Sequence, residues 1–176
     1  MNKTTIATVA GLALALSAGA LVGAEKENRG QLSAKDYRFV AEAARGGTME
    51  VELGELAVQK GASESVRHFG ERMAADHKRA NEELRAIAAR KGATLPAQLS
   101  HGENSTMAHL QKATGRDFDK IYAHHMVKDH EADVKDFKDA AKDLNDPELR
   151  EFAQKTLPTL EEHLRMARNM EAETKR

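Results

Sequence analysis

Apolar residues recur along this chain with the period of an α-helix, in four long stretches. Stepping about 100° per residue, the stretch over 34–60 gathers Phe39, Val40, Ala43, Gly47, Val51, Gly54, Ala57 and Val58 on one face. The second, over 64–91, gathers Val66, Phe69, Met73, Ala80, Leu84 and Ile87. The third, over 116–144, gathers Phe118, Tyr122, Met126, Phe137, Ala140 and Leu144, and the fourth, over 147–172, Leu149, Ala153, Leu160, Leu164 and Ala167. Helix punctuation falls where these stripes stop. Ser33 followed three residues on by Asp36 resembles a capping box, and Gly61 with Ser63 separates the first two stretches. In Asn145-Asp146-Pro147, Asp146 is placed to cap the fourth helix and Pro147 to open it, where its missing N–H costs nothing. Residues 92–115 carry Pro96, Gly102 and small polar side chains, which predicts a long connection with one short helical turn over 106–113. Two tight helical hairpins joined by one long crossover predict an all-α, ferritin-like four-helix bundle over 34–174. Pro158 falls inside the fourth helix and is expected to bend it. Val66-Arg67-His68-Phe69 and Leu149-Arg150-Glu151-Phe152 repeat a small pattern at the start of the second and fourth helices.

The apolar stripes are interrupted by ionisable residues. Glu50 lies within the first stripe and His77 within the second, with Asp76 at its edge. Asp129 and Asp133 lie within the third, His130 flanks one side, and His163 sits among the apolar residues of the fourth. Counted from the hairpin turns, Asp129 and His163 are level, and Glu50 and His77 differ by about one turn. Buried charges are costly unless paired or bound to a metal, so four helices each aiming such a group inward call for an explanation. One reading is a metal site of imidazole nitrogens and carboxylate oxygens, suited to iron, copper, zinc or manganese. The other is a buried network in which Asp and Glu accept from His and Tyr122 and fix helix register. The Glu-x-x-His spacing of di-iron bundles occurs nowhere in the chain. His124-His125-Met126 brings together copper-compatible side chains, but adjacent helical residues do not share a face and Met126 fits the core stripe.

The first 24 residues read differently. Lys3 precedes an apolar run from Ile6 to Val22, which closes on Val22-Gly23-Ala24 before the charged Glu25-Lys26-Glu27. This predicts a secretory signal peptide over 1–24, cut after Ala24, and then a flexible leader over 25–33. The alternative is an uncleaved anchor, since Ile6 to Ala24 is just long enough to span a bilayer. Composition narrows the chemistry further. Of 176 residues, 27 are Lys or Arg and 28 Asp or Glu, a balance with no footprint for a nucleic-acid backbone. With no cysteine there are no disulfides, thiolate zinc sites, iron–sulfur clusters or cysteine nucleophiles. No Ser-His-Asp set, phosphate-cradling glycine loop or nucleotide fingerprint is present. No second apolar stripe is evident on the outer faces, which points to a monomer.

Several of these motifs together resemble a known family. Glu50-Val51-Glu52-Leu53-Gly54 after the Gly46-Gly47 pair, Met73-x-x-Asp76-His77 and Met126-x-x-Asp129-His130 are its marks, with Phe118-Asp119 and Tyr122, and with Leu157-Pro158-x-Leu160 followed by His163. They resemble the secreted bacterial family called domain of unknown function 4142, over residues 36–170. The resemblance implies a ferritin-like bundle exported to the periplasm or cell envelope. It implies that Glu50, Asp76, His77, Asp129, His130 and His163 act together, and it implies no activity. Two function classes stay open. One is a protein binding metal in its core. The other is a non-catalytic structural or interaction protein of the envelope, stress-related, whose polar core only fixes packing. A redox or detoxification enzyme would need an open coordination position and access for a substrate.

Overall fold

The computed structural model describes residues 28–96 and 99–175. The signal peptide expected over 1–24, and its cleavage point, lie outside these residues. The described chain is all helical: α1 (Ala34–Lys60), α2 (Glu64–Arg90), α3 (His101–Lys112), α4 (Gly115–Asp143) and α5 (Pro147–Thr174). The starts of α1, α2 and α5 carry the caps expected of them. The Ser33 hydroxyl accepts from Asp36 N at 3.1 Å, and Ser63 accepts from Val66 N at 3.3 Å. Asp146 takes both Glu148 N and Leu149 N, at 2.9 and 3.2 Å. These side chains satisfy amides that a helix start would otherwise leave without partners.

α1 packs along α2 and α4 along α5, and contacts between α2 and α5 join the two hairpins. The short turn expected over 106–113 is instead a helix of 12 residues that begins at His101. A complete capping box starts it: Ser100 accepts from Glu103 N while the Glu103 carboxylate reaches back to Ser100 N. The architecture is therefore five helices among the described residues, four long and one short. α5 runs through Pro158 without a break. Residues 28–33, expected to be a flexible leader with 25–27, lie against the end of α2. Gln31 N donates to Lys91 O at 2.9 Å, Thr94 N donates to Asn28 O at 2.8 Å, and Leu32 is buried. Gly30 makes this approach at φ 53°, and a Cβ there would stand 2.1 Å from Lys91 O.

The apolar interior falls into two clusters, one at each end of the long helices. Val40, Leu84, Phe137, Leu149 and Phe152 belong to one, and Leu53, Phe69, Met73, Phe118 and Met126 to the other. Between them, at mid-height on all four long helices, lie Glu50, His77, His130 and His163, each buried. The α1 stripe is rotated from its expected setting. Tyr37, Met49 and Leu53 are buried, whereas Val58 is 37% exposed and Phe39 and Val51 are half-buried. α1 packs mainly against α2, with fewer contacts to α3 and α4, so its buried arc faces one dominant neighbour and is not centred on the mean of the apolar positions. Among the described residues no helix is long and apolar enough to cross a membrane.

Candidate metal centre

Three imidazoles meet in the polar layer. The ring centroids of His77 and His163 are 5.4 Å apart, those of His130 and His163 5.5 Å, and those of His77 and His130 5.9 Å. One nitrogen from each ring lies within 4.8 Å of the others. All three side chains are buried, His130 and His163 completely.

Each ring is held from behind. His77 Nδ1 lies 2.9 Å from Glu50 Oε2. His130 Nδ1 donates to Met126 O, one turn earlier on α4, at 3.1 Å. His163 Nε2 lies 3.0 Å from Asp76 Oδ2, and Asp76 is itself gripped by Arg72. A carbonyl or a carboxylate accepts, so in each neutral ring the nitrogen facing it carries the proton and the opposite nitrogen carries the lone pair. Those opposite nitrogens, His77 Nε2, His130 Nε2 and His163 Nδ1, are buried and have no hydrogen-bond partner. Metal-ligating histidines have their second nitrogen fixed by a carboxylate or carbonyl in the same manner.

The electrostatics suit neutral imidazoles. Burial pushes His163 down to about 4, and the neighbouring His77 adds to the effect. Burial also holds His130 well below its ordinary value, helped by His77 and His163. His77 is lowered by burial too, against the pull of Asp133 and Asp129. Asp76 is lowered as well, against its burial: burial would raise it, but hydrogen bonds from Arg72 and His163 bring it below the usual carboxylate range.

Beside the imidazoles is an acidic lobe. One ligand atom each from Glu50, Asp129, His130 and Asp133 lies within 4.8 Å of the others. Glu50 is 3% exposed, and burial followed by the charge of Asp129 holds its carboxyl well above the ordinary range. Asp133 is raised by burial and by Glu50, and Asp129 by burial. Glu50 Oε1 has no hydrogen-bond partner, and neither has the buried Tyr122 hydroxyl. A cavity of about 100 Å³ opens against this lobe, lined by Glu50, His77 and Asp133 and, on α1, by Gly46 and Gly47.

The six residues singled out from sequence therefore take different positions. His77, His130 and His163 form the triad, Glu50 and Asp76 stand behind two of its rings, and Glu50 and Asp129 belong to the acidic lobe. His130, expected to flank its stripe, is completely buried, and Asp129, expected within the stripe, is only half-buried. Asp133 completes the lobe. Its place in the α4 stripe was readable from periodicity, but its partner Glu50 lies on another helix and no local spacing announces the pair. His125 and His124 stay apart from the triad, the latter 2.9 Å from Glu171 on the outer face.

An all-helical protein with a buried triad of oriented imidazoles is the class that fold and site define. The chain belongs to the family described as a domain of unknown function (DUF4142), matched over residues 22–170. Among solved structures it is similar to a DUF305 fragment from Deinococcus radiodurans, at TM-score 0.72 and 13% identity over 81% of this chain and 98% of that one. It is also similar to CopM in its Cu(II)-bound form, at TM-score 0.67 and 15% identity over 78% of this chain and 96% of that one. At such identities the likeness is one of fold. No curated protein matches the sequence.

Proposed function

We propose that this protein is an exported metal-binding bundle whose core holds one divalent transition-metal ion through His77, His130 and His163. Glu50 and Asp76 orient two of the ligands, and Asp129 lies in the adjoining acidic lobe. The observation that carries the reading is that three buried rings each bring a nitrogen within 4.8 Å of the others, and that each ring keeps one buried nitrogen without a hydrogen-bond partner while its other nitrogen is held by an acceptor. Leaving three lone pairs unpaired in an apolar interior is costly, and a cation removes that cost. Three imidazoles suit copper and zinc better than iron or manganese, and copper stands highest in the affinity order of divalent ions. The copper-bound state of CopM, a protein of similar fold, favours copper as the first ion to test. Three protein ligands leave a fourth coordination position for water or a small ligand, but no reaction is assigned.

In this reading the fold is a ferritin-like four-helix bundle of α1, α2, α4 and α5, with α3 set into the crossover. The location is the periplasm or cell envelope, as the signal-like sequence over 1–24 supports. The competing reading, a structural or interaction protein with a purely internal polar network, accounts for the His77–Glu50 and His163–Asp76 contacts. It leaves the three buried, unpartnered nitrogens unexplained.

Elemental analysis of protein purified from its own compartment, without tag or chelator, tests the proposal. The expected result is one equivalent of copper or zinc, lost in His77→Ala and His163→Ala. Metal-free protein that shows no thermal shift with any of copper, zinc, iron or manganese would overturn it.

A further inference from the structure

The acidic lobe is more than a flank of the imidazole triad. Glu50 Oε1 and His130 Nε2 face one another across 3.5 Å, both fully buried and neither with a hydrogen-bond partner. Glu50 also faces the carboxyls of Asp129 and Asp133 from the opposite hairpin. Among the described residues none of these three carboxylates forms an ion pair with a lysine or arginine. Close carboxylates without a lysine or arginine counter-charge are unfavourable. The hydrogen bonds of Glu50 with Asp129 and Asp133 need a proton kept between the acids, and a cation would take the place of those protons. One oxygen each from Glu50, Asp129 and Asp133 lies within 4.8 Å of the others, a spread that the ligands of one ion cover with bonds of about 2.1–2.4 Å.

A single ion cannot serve both groups. The atoms that converge in the triad and those that converge in the lobe share only His130. Its Nδ1 is committed to Met126 O, so its Nε2 offers one lone pair to one ion. The two donor sets differ in kind, with nitrogen on one side and mainly oxygen on the other. Oxygen donors suit harder cations such as manganous or ferrous ions, whereas imidazoles suit copper and zinc. The lobe also has an approach, because Glu50 and Asp133, with His77 of the triad, line the cavity that opens past Gly46 and Gly47.

We infer that the core contains a second cation site, in which Glu50, Asp129 and Asp133 hold a hard divalent ion next to the imidazole triad. The inference rests on the reading of the core as a metal centre, but the two fail separately. The probe is Mn²⁺ alone, added to chelator-stripped full-length protein and followed by loss of the free-ion paramagnetic signal; Cu²⁺ is titrated in parallel. His163→Ala is expected to retain Mn²⁺ affinity within about threefold while lowering Cu²⁺ affinity by at least about tenfold. Asp133→Asn is expected to do the reverse, weakening Mn²⁺ at least about tenfold and sparing Cu²⁺. Far-UV circular dichroism checks the fold of each variant, and Asp129→Asn probes the same lobe should Asp133→Asn fail to fold. Absence of Mn²⁺ binding to the wild type, or equal loss of both ions in both variants, would overturn the second site and leave the triad standing. Retention of Cu²⁺ by His163→Ala would instead overturn the triad.

Discussion

The two hairpins of this molecule are built alike at their turns and unlike in their middles. At the α1–α2 turn, Ala62 N and Ser63 N donate to the carboxylate of Asp119, on the first turns of α4, at 2.9 and 2.8 Å. At the α4–α5 turn, Asn145 N donates to Asp36, on the first turn of α1, at 2.8 Å. Arg67 folds back onto Gly61 O and Ala62 O, at 2.8 and 2.9 Å. Arg150 does the same to Leu144 O and Asn145 O, at 2.6 and 2.9 Å. Asp36 and Asp119, Arg67 and Arg150, and Phe69 and Phe152 are pairs separated by one and the same interval along the chain. Each hairpin thus lends a carboxylate to close the other's turn. In the middles the correspondence fails. Where α4 carries Asp129 and His130, α1 carries Gly46 and Gly47, and that missing volume is one wall of the cavity. Only Glu50 and Asp133 keep a carboxyl at matched positions, and both are in the acidic lobe. The turns fix which helix lies where, and the middles are free to differ because that is where the chemistry sits.

The largest expected effect breaks the likeness along the helix contact. Gly54 and Gly70 occupy the positions that Phe137 and Ala153 take in the second hairpin, and α1 and α2 come together over them. A Cβ on Gly54 would stand 2.7 Å from Gly70 O and 2.9 Å from Ala74 N. Both are backbone atoms, so the helices themselves must separate. Gly54→Ala is expected to cost about 3 kcal/mol, the upper end for an overpacked core, read from the midpoint of chemical unfolding.

A second prediction uses the turns. Asp119→Ala strips two amides of their acceptor and is expected to cost about 3 kcal/mol, whereas Asp36→Ala strips one amide, Asn145 N, and the Ser33 hydroxyl, which can turn to another acceptor, and costs about half as much. Neither residue touches the triad, so metal stoichiometry stays the same in whichever variant folds. Equal costs for the two would mean that the turns are not held by these carboxylates as described.

These turns also mark how much of the molecule was legible in the sequence. The stop signals at Gly61, Ser63 and Asn145-Asp146-Pro147 give the hairpins because capping is local chemistry, decided within a few residues. The carboxylates that close the turns come from the opposite hairpin, and no spacing announces them. His77 and His163 read as inward because each sits in a clear stripe. His130 and Asp129 did not sort cleanly, since neighbours on a helix diverge by about 100° and α4 is contacted from more than one side. α3 was underestimated because its apolar face is only Met107 and Leu110, too little periodicity to set its length, although Ser100 and Glu103 carried its start. That the three rings converge is a property of three helices at once.

A third prediction sharpens the contrast between the middles and the turns. Copper at about one hundred times its dissociation constant is expected to raise the wild-type unfolding free energy by about 2.7 kcal/mol, and that of His163→Ala by no more than about half as much. Without metal, pH does part of the same work. His163 is held down to about 4 by burial and by His77, below its unfolded value. It therefore contributes stability that is fully present above about 6.5 and is lost as the pH falls towards 4. Glu50 and Asp133, raised by burial, contribute in the opposite sense, losing stability as the pH rises. The acid-side loss should accordingly be shallower in the wild type than in Asp133→Asn, measured by urea unfolding between pH 4 and 7.

The smallest effect concerns the glycine pair, where two adjacent substitutions should differ in sign. Nothing lies within 4 Å of a Cβ built on Gly46. Alanine there enters open cavity space and removes the penalty of glycine within a helix, so Gly46→Ala should stabilise by about 0.5–1 kcal/mol. One residue on, a Cβ on Gly47 would stand 2.2 Å from the Asn81 amide oxygen. Asn81 is buried, and moving it costs more than the helix propensity returns, so Gly47→Ala should destabilise by about 1 kcal/mol. Thermal unfolding of the two variants side by side decides it. Opposite signs would show that the gap across from Asp129 and His130 is an open wall at Gly46 and a filled one at Gly47. Stabilisation by both would mean that Asn81 moves freely, and that the cavity beside the acidic lobe is wider than its present 100 Å³.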